Sequence, residues 1–312
     1  MRWLIVITVV ALVVAASVSA QRGVPNQRVQ SAPTCPPSGY MPQAYYGLFG
    51  QNGGDGLTAY DIASPCIGKD VREVAASIGM GRSTVLGVRN VITVMFSVDG
   101  TWAEPGGMAK LTKTDFHMAY YLPAMRLFLN GAHADGTALK EIRVFATQYA
   151  WNETQEGLGA TPAMNTRDDR LPLIKLTPFG ALWSLIDAEG HTKITSANGK
   201  TVLTGTSPYD GIEVAMTVEN QDLGIAGHKK GDPLHVPVAV TAKANGHTYA
   251  ATFADYRGGP LLEPDVWMIF PKRLIWTLDG KPLADLTVTY FRSNPYVVFP
   301  IPDVVKQKTS SN

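Results

Sequence analysis

The side chains able to do chemistry are few and scattered. The histidines are His117, His133, His191, His228, His235 and His247, and no two stand at the short spacing by which imidazoles share a zinc ion. His228 and His235 flank HKKGDPLH, which reads as a solvated surface loop. Asp168 and Asp169 lie between Arg167 and Arg170 in NTRDDRL. An acid/base couple needs two carboxyls in different environments, so this pair also reads as solvated loop. Gly205-Thr206-Ser207-Pro208-Tyr209 carries half of a nucleophile-elbow pattern, but its Pro is ill suited to that turn. Gly199-Lys200-Thr201 ends like a phosphate loop, yet Ile194 stands where the first Gly belongs,. Asn198-Gly199 makes it a hairpin turn instead. Asn152-Glu153-Thr154 fits an N-glycosylation acceptor, which matters only in a eukaryotic secretory route,. A hydrolase or lyase site assembled by folding from scattered His and Asp stays open. No catalytic residue, metal-ligand set or cofactor is singled out.

The chain is richer in large apolar residues spaced as on strands. Trp183, Trp267, Met268, Phe270 and Trp276 are the candidates for lining an apolar cleft, the default ligand site of a broad curved sheet. The competing assignment for each is ordinary core.

The elements that must position them read mainly as strands. From Val85, VLGVRNVITVMFSV is β-branched and ends at Asp99-Gly100, which reads as a turn,. Asn198-Gly199, Asn245-Gly246 and Asp279-Gly280 punctuate later runs as tight hairpins. Around Asp279-Gly280, Leu274, Trp276 and Leu278 share one face, and Leu286, Val288 and Tyr290 share one face of the next strand,. FHMAYYLPAMRLFLN and LKEIRVFATQYAWNE read as two more strands, joined near Asp135-Gly136. A short helix starts at Asp70, with Glu73 reaching back,. A second begins at Thr177-Pro178, with Thr177 as N-cap, and runs through FGALWSLIDAEG,. The expected fold is mainly β (α+β). It is a curved antiparallel sheet or incomplete β-barrel, with a few short helices packed on or in its concave face.

Compartment and charge narrow the function. Met1-Arg2-Trp3, the apolar run Leu4 to Val14 and AASVSA ending at Ala20 read as a signal peptide, 1–20,. The run is shorter than the ~20 residues that span a bilayer comfortably, and no later segment is an uncharged apolar run of spanning length. Removing that leader from 312 residues leaves 292, and Arg2 takes the formal charge from +1 to zero. A neutral chain lacks the basic field that nucleic-acid affinity needs. Charged residues make up 17 % and hydrophobic ones 45 %, so the chain as a whole is not intrinsically disordered. Residues 21–69 form a Gly/Pro/Tyr-rich arm that regular structure cannot hold,. It contains Cys35 and Cys66, which pair as one disulfide in an exported chain,. That bridge would stabilise by about 3–4 kcal/mol. Residues 70–302 are the β domain and 303–312 a frayed tail.

Taken together, the leader, the N-terminal helix, the long meander, the intervening helix and the last strong hairpin resemble the periplasmic lipoprotein-carrier and outer-membrane lipoprotein-sorting superfamily. The residues carrying the resemblance are TVLTGTSPYDGIEVAMTV (201–218), HTYAATFADY (247–256), the 270–292 run FPKRLIWTLDGKPLADLTVTYFR and YAWNE (149–153). It implies a half-barrel over an apolar cavity and an acyl ligand, free or on a lipoprotein. The expected function is an exported, non-enzymatic binding protein of the periplasm or cell envelope. It would hold an amphipathic or lipid-like ligand between sheet and helix. The alternatives are the dispersed His/Asp enzyme and an envelope interaction module contacting partners through the 21–69 arm.

Overall fold

The computed structural model describes residues 91, 93–120, 123–187, 192–197, 200–207, 210–221, 234–258 and 269–309. The leader, the arm with Cys35 and Cys66, the helix at Asp70, and Trp267 and Met268 lie outside the described residues, as do His191 and His228.

Thirteen strands form one antiparallel sheet. Strands β1(Thr93–Glu104), β2(Gly107–Ala119), β3(Ala124–Ala132), β4(Ala138–Ala146), β5(Tyr149–Glu153) and β6(Thr161–Pro162) step outward from the centre. A 3₁₀ turn, Met164–Thr166, and helices α1(Arg167–Lys175) and α2(Pro178–Asp187) lead to the opposite edge. Strands β7(Lys193–Ala197), β8(Lys200–Thr206), β9(Glu213–Gln221), β10(Leu234–Ala244), β11(His247–Gly258), β12(Ile269–Leu278) and β13(Lys281–Ser293) step back inward. There β13 pairs with β1, while β6 and β7 are the two edges of the sheet among the described residues. A twisted sheet this wide, beyond ~10 strands, curls. It does not close here.

The hairpin signals hold where the turn chemistry is strongest. Asn245-Gly246 and Asp279-Gly280 both have positive φ at each position (53° and 80°, 50° and 75°), as the favoured two-residue hairpin requires. Lys193–Ala197 and Lys200–Thr206 pair in the register that Asn198-Gly199 predicts.

Asp99-Gly100 departs from expectation. It is a bulge inside β1, which continues to Glu104. The Asp99 carboxylate accepts the Lys113 N–H at 2.8 Å, and that holds the irregularity across the strand pair,. A Cβ on Gly100 would sit 2.0 Å from the Asp285 carbonyl oxygen, so this close crossing needs glycine. A second bulge flips the face of β13. Ser97 pairs with Tyr290 and Val98 with Val288, which leaves Thr289 over. Leu286 therefore stays buried, Tyr290 turns outward and Phe291 points inward,. The two long runs expected as single strands each fold back as two, β2 with β3 and β4 with β5.

The inward face of the sheet and both helices share one apolar cluster. Thr177 caps α2 as expected: its Oγ1 accepts the Gly180 N–H at 3.1 Å and meets the buried Tyr120 hydroxyl at 2.9 Å. Burial pushes the Tyr120 phenol well up, so the group stays neutral,. Thr177→Ala removes the cap and strips Tyr120 of its partner. It should cost about 2 kcal/mol, with Thr177→Ser recovering most of that, in urea unfolding.

NTRDDRL is not a loop; it opens α1. Pro172, inside α1, has no N–H for the Asp168 carbonyl, and Asn245 Nδ2 donates to that oxygen at 3.4 Å instead,. Burial of Leu171, Pro172, Leu173 and Ile174 outweighs the helix-breaking residue,. The tail is also corrected. Asp303–Thr309 is a helix, α3, with Val305 fully buried beside Val144 and Trp151 on the outward face of the sheet.

Candidate ligand-binding site

Aromatic side chains fill the centre of the inward face. Phe96 stacks on Phe116 at 4.7 Å and Phe270 on Phe291 at 4.2 Å. Phe179 of α2 lies over both Phe270 and Phe291, at 5.9 and 6.0 Å. Trp276 meets Trp102 and Phe116 edge-on at 6.0 and 5.8 Å. Trp183 of α2 is buried, and its Nε1 donates to the Val91 carbonyl. Of the expected cleft residues, Trp183, Phe270 and Trp276 thus belong to this packed cluster, and none lines the cavity described next.

That cavity, of about 390 Å³, lies between α1 and the sheet, within the range of small-molecule pockets. Its apolar lining comes from Trp102 of β1, Met125 and Leu127 of β3, Leu173 of α1, Leu278 of β12 and Leu283 of β13. Its polar lining comes from Glu141 and Arg143 of β4, Asn152 of β5, Asp169 and Arg170 of α1 and Tyr249 of β11. Period-2 alternation explains the charges. In β4, Glu141 and Arg143 stand in the same row as the buried Leu139 and Phe145,. That row was visible in LKEIRVFA, but reading the run as a single strand with YAWNE hid which face it used.

Each charge in the cavity wall has a different environment. Arg143 lies 2.9 Å from Glu104 and 2.8 Å from Glu141. Burial alone would pull its guanidinium down, yet these two carboxylates hold it above its ordinary value,. Arg170 is buried and its hydrogen-bond partners are all neutral. They are the Val144 and Trp151 carbonyls at 2.8 and 2.7 Å and Asn152 Oδ1 at 2.6 Å. Burial first, then the like charge of Arg143, pulls Arg170 down to about 10,. Burial, then Asp169, Asp279 and Asp168, raise the Tyr249 phenol.

On the opposite face, the segment after β13 covers a second charge cluster. Arg126 and Glu153 are joined twice, at 3.0 and 3.2 Å, with side chains 3 % and 1 % exposed. Glu153 also accepts from Trp151 Nε1 at 2.8 Å and the Gly157 N–H at 2.9 Å. Arg126 reaches the Val298 carbonyl at 3.1 Å and lies over the Phe299 ring,.

Among the described residues the scattered histidines stay scattered. His117 packs edge-on against Phe128 at 4.8 Å, and burial lowers its pKa. His247 meets Asp279 at 2.7 Å on the surface. Among the described residues no group of His, Cys, Asp and Glu is placed to share a metal ion, and no helix is long and apolar enough to cross a membrane. No protein-family model and no curated protein matches this sequence.

Proposed function

We propose that the chain is an exported, non-enzymatic binding protein that holds the tail of a small amphipathic or lipid-like molecule in the cavity between sheet and α1. On this reading the curled sheet acts as a half-barrel with α1 and α2 in its concave face. The observation that carries the proposal is the cavity itself: about 390 Å³, with an apolar lining from four strands and a helix and polar groups from β4, β5, α1 and β11,. An alkyl tail of about eight carbons gains about 6 kcal/mol on leaving water, at ~0.8 kcal/mol per CH₂. The acyl chain of a lipid or lipoprotein has this chemistry, and the signal-peptide pattern at the N-terminus supports a place in the envelope.

Half-buried Leu278 lines the cavity from the same strand row as the inward Trp276,, so Leu278→Trp narrows it. Delipidated protein is expected to bind fluorescent probes with alkyl tails, tested with charged and uncharged heads. The variant should lose at least about tenfold in affinity, ~1.4 kcal/mol, with its unfolding midpoint unchanged. No binding of any probe, or undiminished binding by Leu278→Trp, overturns the proposal.

A further inference from the structure

We propose that the molecule held in this cavity has a zwitterionic head, its anionic group received by Arg170 and Asn152 and its cationic group by Asp169. The inference rests on the cavity being a ligand site. Two carboxylates, Glu141 and Asp169, and two guanidinium groups, Arg143 and Arg170, line it, with Glu104 paired to Arg143 from outside the lining, and the pairing is uneven. Glu104 and Glu141 both serve Arg143. That leaves Arg170 and Asp169, adjacent in the first turn of α1, each without a salt bridge to a charge of opposite sign.

Arg170 donates only to neutral acceptors and keeps N–H donors to spare,. Asp169 is exposed, and no hydrogen bond or ion pair ties it to the described residues. Asp169 acts on Arg170 only through space and forms no salt bridge with it, because neighbouring residues on a helix diverge by about 100° and do not face one another. An anionic head alone would satisfy Arg170 and be repelled by Asp169, and a cationic head would do the reverse. A neutral head would satisfy neither. A head carrying both charges a few bonds apart, such as a phosphate or carboxylate with an ammonium group, matches both. The lowered pKa of Arg170 accords with this, since a buried cation beside a like charge is relieved by an anion,.

The test is calorimetric titration of the delipidated full chain with one tail and four heads: octylphosphocholine, octyl phosphate, octyltrimethylammonium and octyl glucoside. The zwitterion is expected to bind tightest, by about tenfold. Asp169→Asn alters an exposed side chain and leaves the fold intact. It should weaken octylphosphocholine about threefold to fivefold and leave octyl phosphate unchanged or tighter. Equal affinity for all four heads, or an unchanged octylphosphocholine affinity in Asp169→Asn, overturns the zwitterion while the cavity still binds tails. Failure of all four heads to bind overturns the cavity reading itself.

Discussion

Glu153→Ala is expected to lower stability by about 3–5 kcal/mol, a fall in Tm of about 10 °C or more for a domain of this size. The carboxylate accepts four hydrogen bonds, two of them from the Arg126 guanidinium, and both side chains are all but sealed from water. Removing it leaves a buried cation with only the exposed Glu156 carboxylate, 3.3 Å from its Nη1, and strips Trp151 Nε1 and the Gly157 N–H of their acceptor. The first loss is the larger, because an uncompensated buried charge costs more than an unmade neutral hydrogen bond. The double variant Arg126→Met/Glu153→Leu removes the charge problem, though not the two orphaned donors, and should recover roughly half of the loss. Thermal unfolding of the two single variants and the double variant measures the coupling. A Glu153→Ala loss under about 1 kcal/mol would mean that the cover formed by the segment from Pro295 to α3 is open in solution.

Trp276→Ala should cost about 3–5 kcal/mol, while Trp276→Phe should cost less than about 1.5 kcal/mol. The reason lies in the two halves of the side chain. Its rings are fully buried against Trp102 and Phe116 and fill a volume that alanine leaves empty. Its Nε1, by contrast, has no hydrogen-bond partner, so phenylalanine removes a buried orphan donor together with part of the ring. Urea unfolding of both variants separates packing from hydrogen bonding. A cleft-lining tryptophan would behave differently: alanine would be tolerated by the fold and ligand affinity would fall.

Local chemistry was legible wherever one or two residues decide the backbone. Asn245-Gly246 and Asp279-Gly280 adopt the positive φ angles that only such pairs accept readily,. Thr177-Pro178 starts a helix because a hydroxyl acceptor followed by a residue lacking an N–H suits a first turn in any context,. The same reasoning misplaced Asp99-Gly100, since Asp-Gly also serves a bulge, and which of the two forms depends on whether Lys113 and Asp285 arrive from other strands. It missed α1, where Pro172 argues against a helix locally and burial of its apolar neighbours decides for one. It also missed the helix after Pro302, because DVVKQKT offers only Val305 to bury and the surface receiving it is built by the distant strands β5 and β6.

The candidate site divides the same way. That aromatic residues would crowd the inner face of a curved sheet could be read from their spacing. That Trp183, Phe270 and Trp276 would all be taken up by one packed core cluster, with the open space by α1 instead, could not. Arg126, Arg143 and Arg170 look alike in the sequence. One is neutralised beneath the C-terminal segment, one by two carboxylates in the cavity wall, and one meets only neutral acceptors. Local sequence sets the hairpin turns at Asn245-Gly246 and Asp279-Gly280, the Thr177 cap, the alternation of most strands and so the all-antiparallel β character, because these depend on interactions within a few residues. Only the tertiary structure decided the pairing of β1 with β13, the bulges that choose a strand's buried face, and the partner of each buried charge. Those outcomes depend on groups as many as about 200 positions apart, such as Thr93 and Pro295, whose meeting no local pattern encodes.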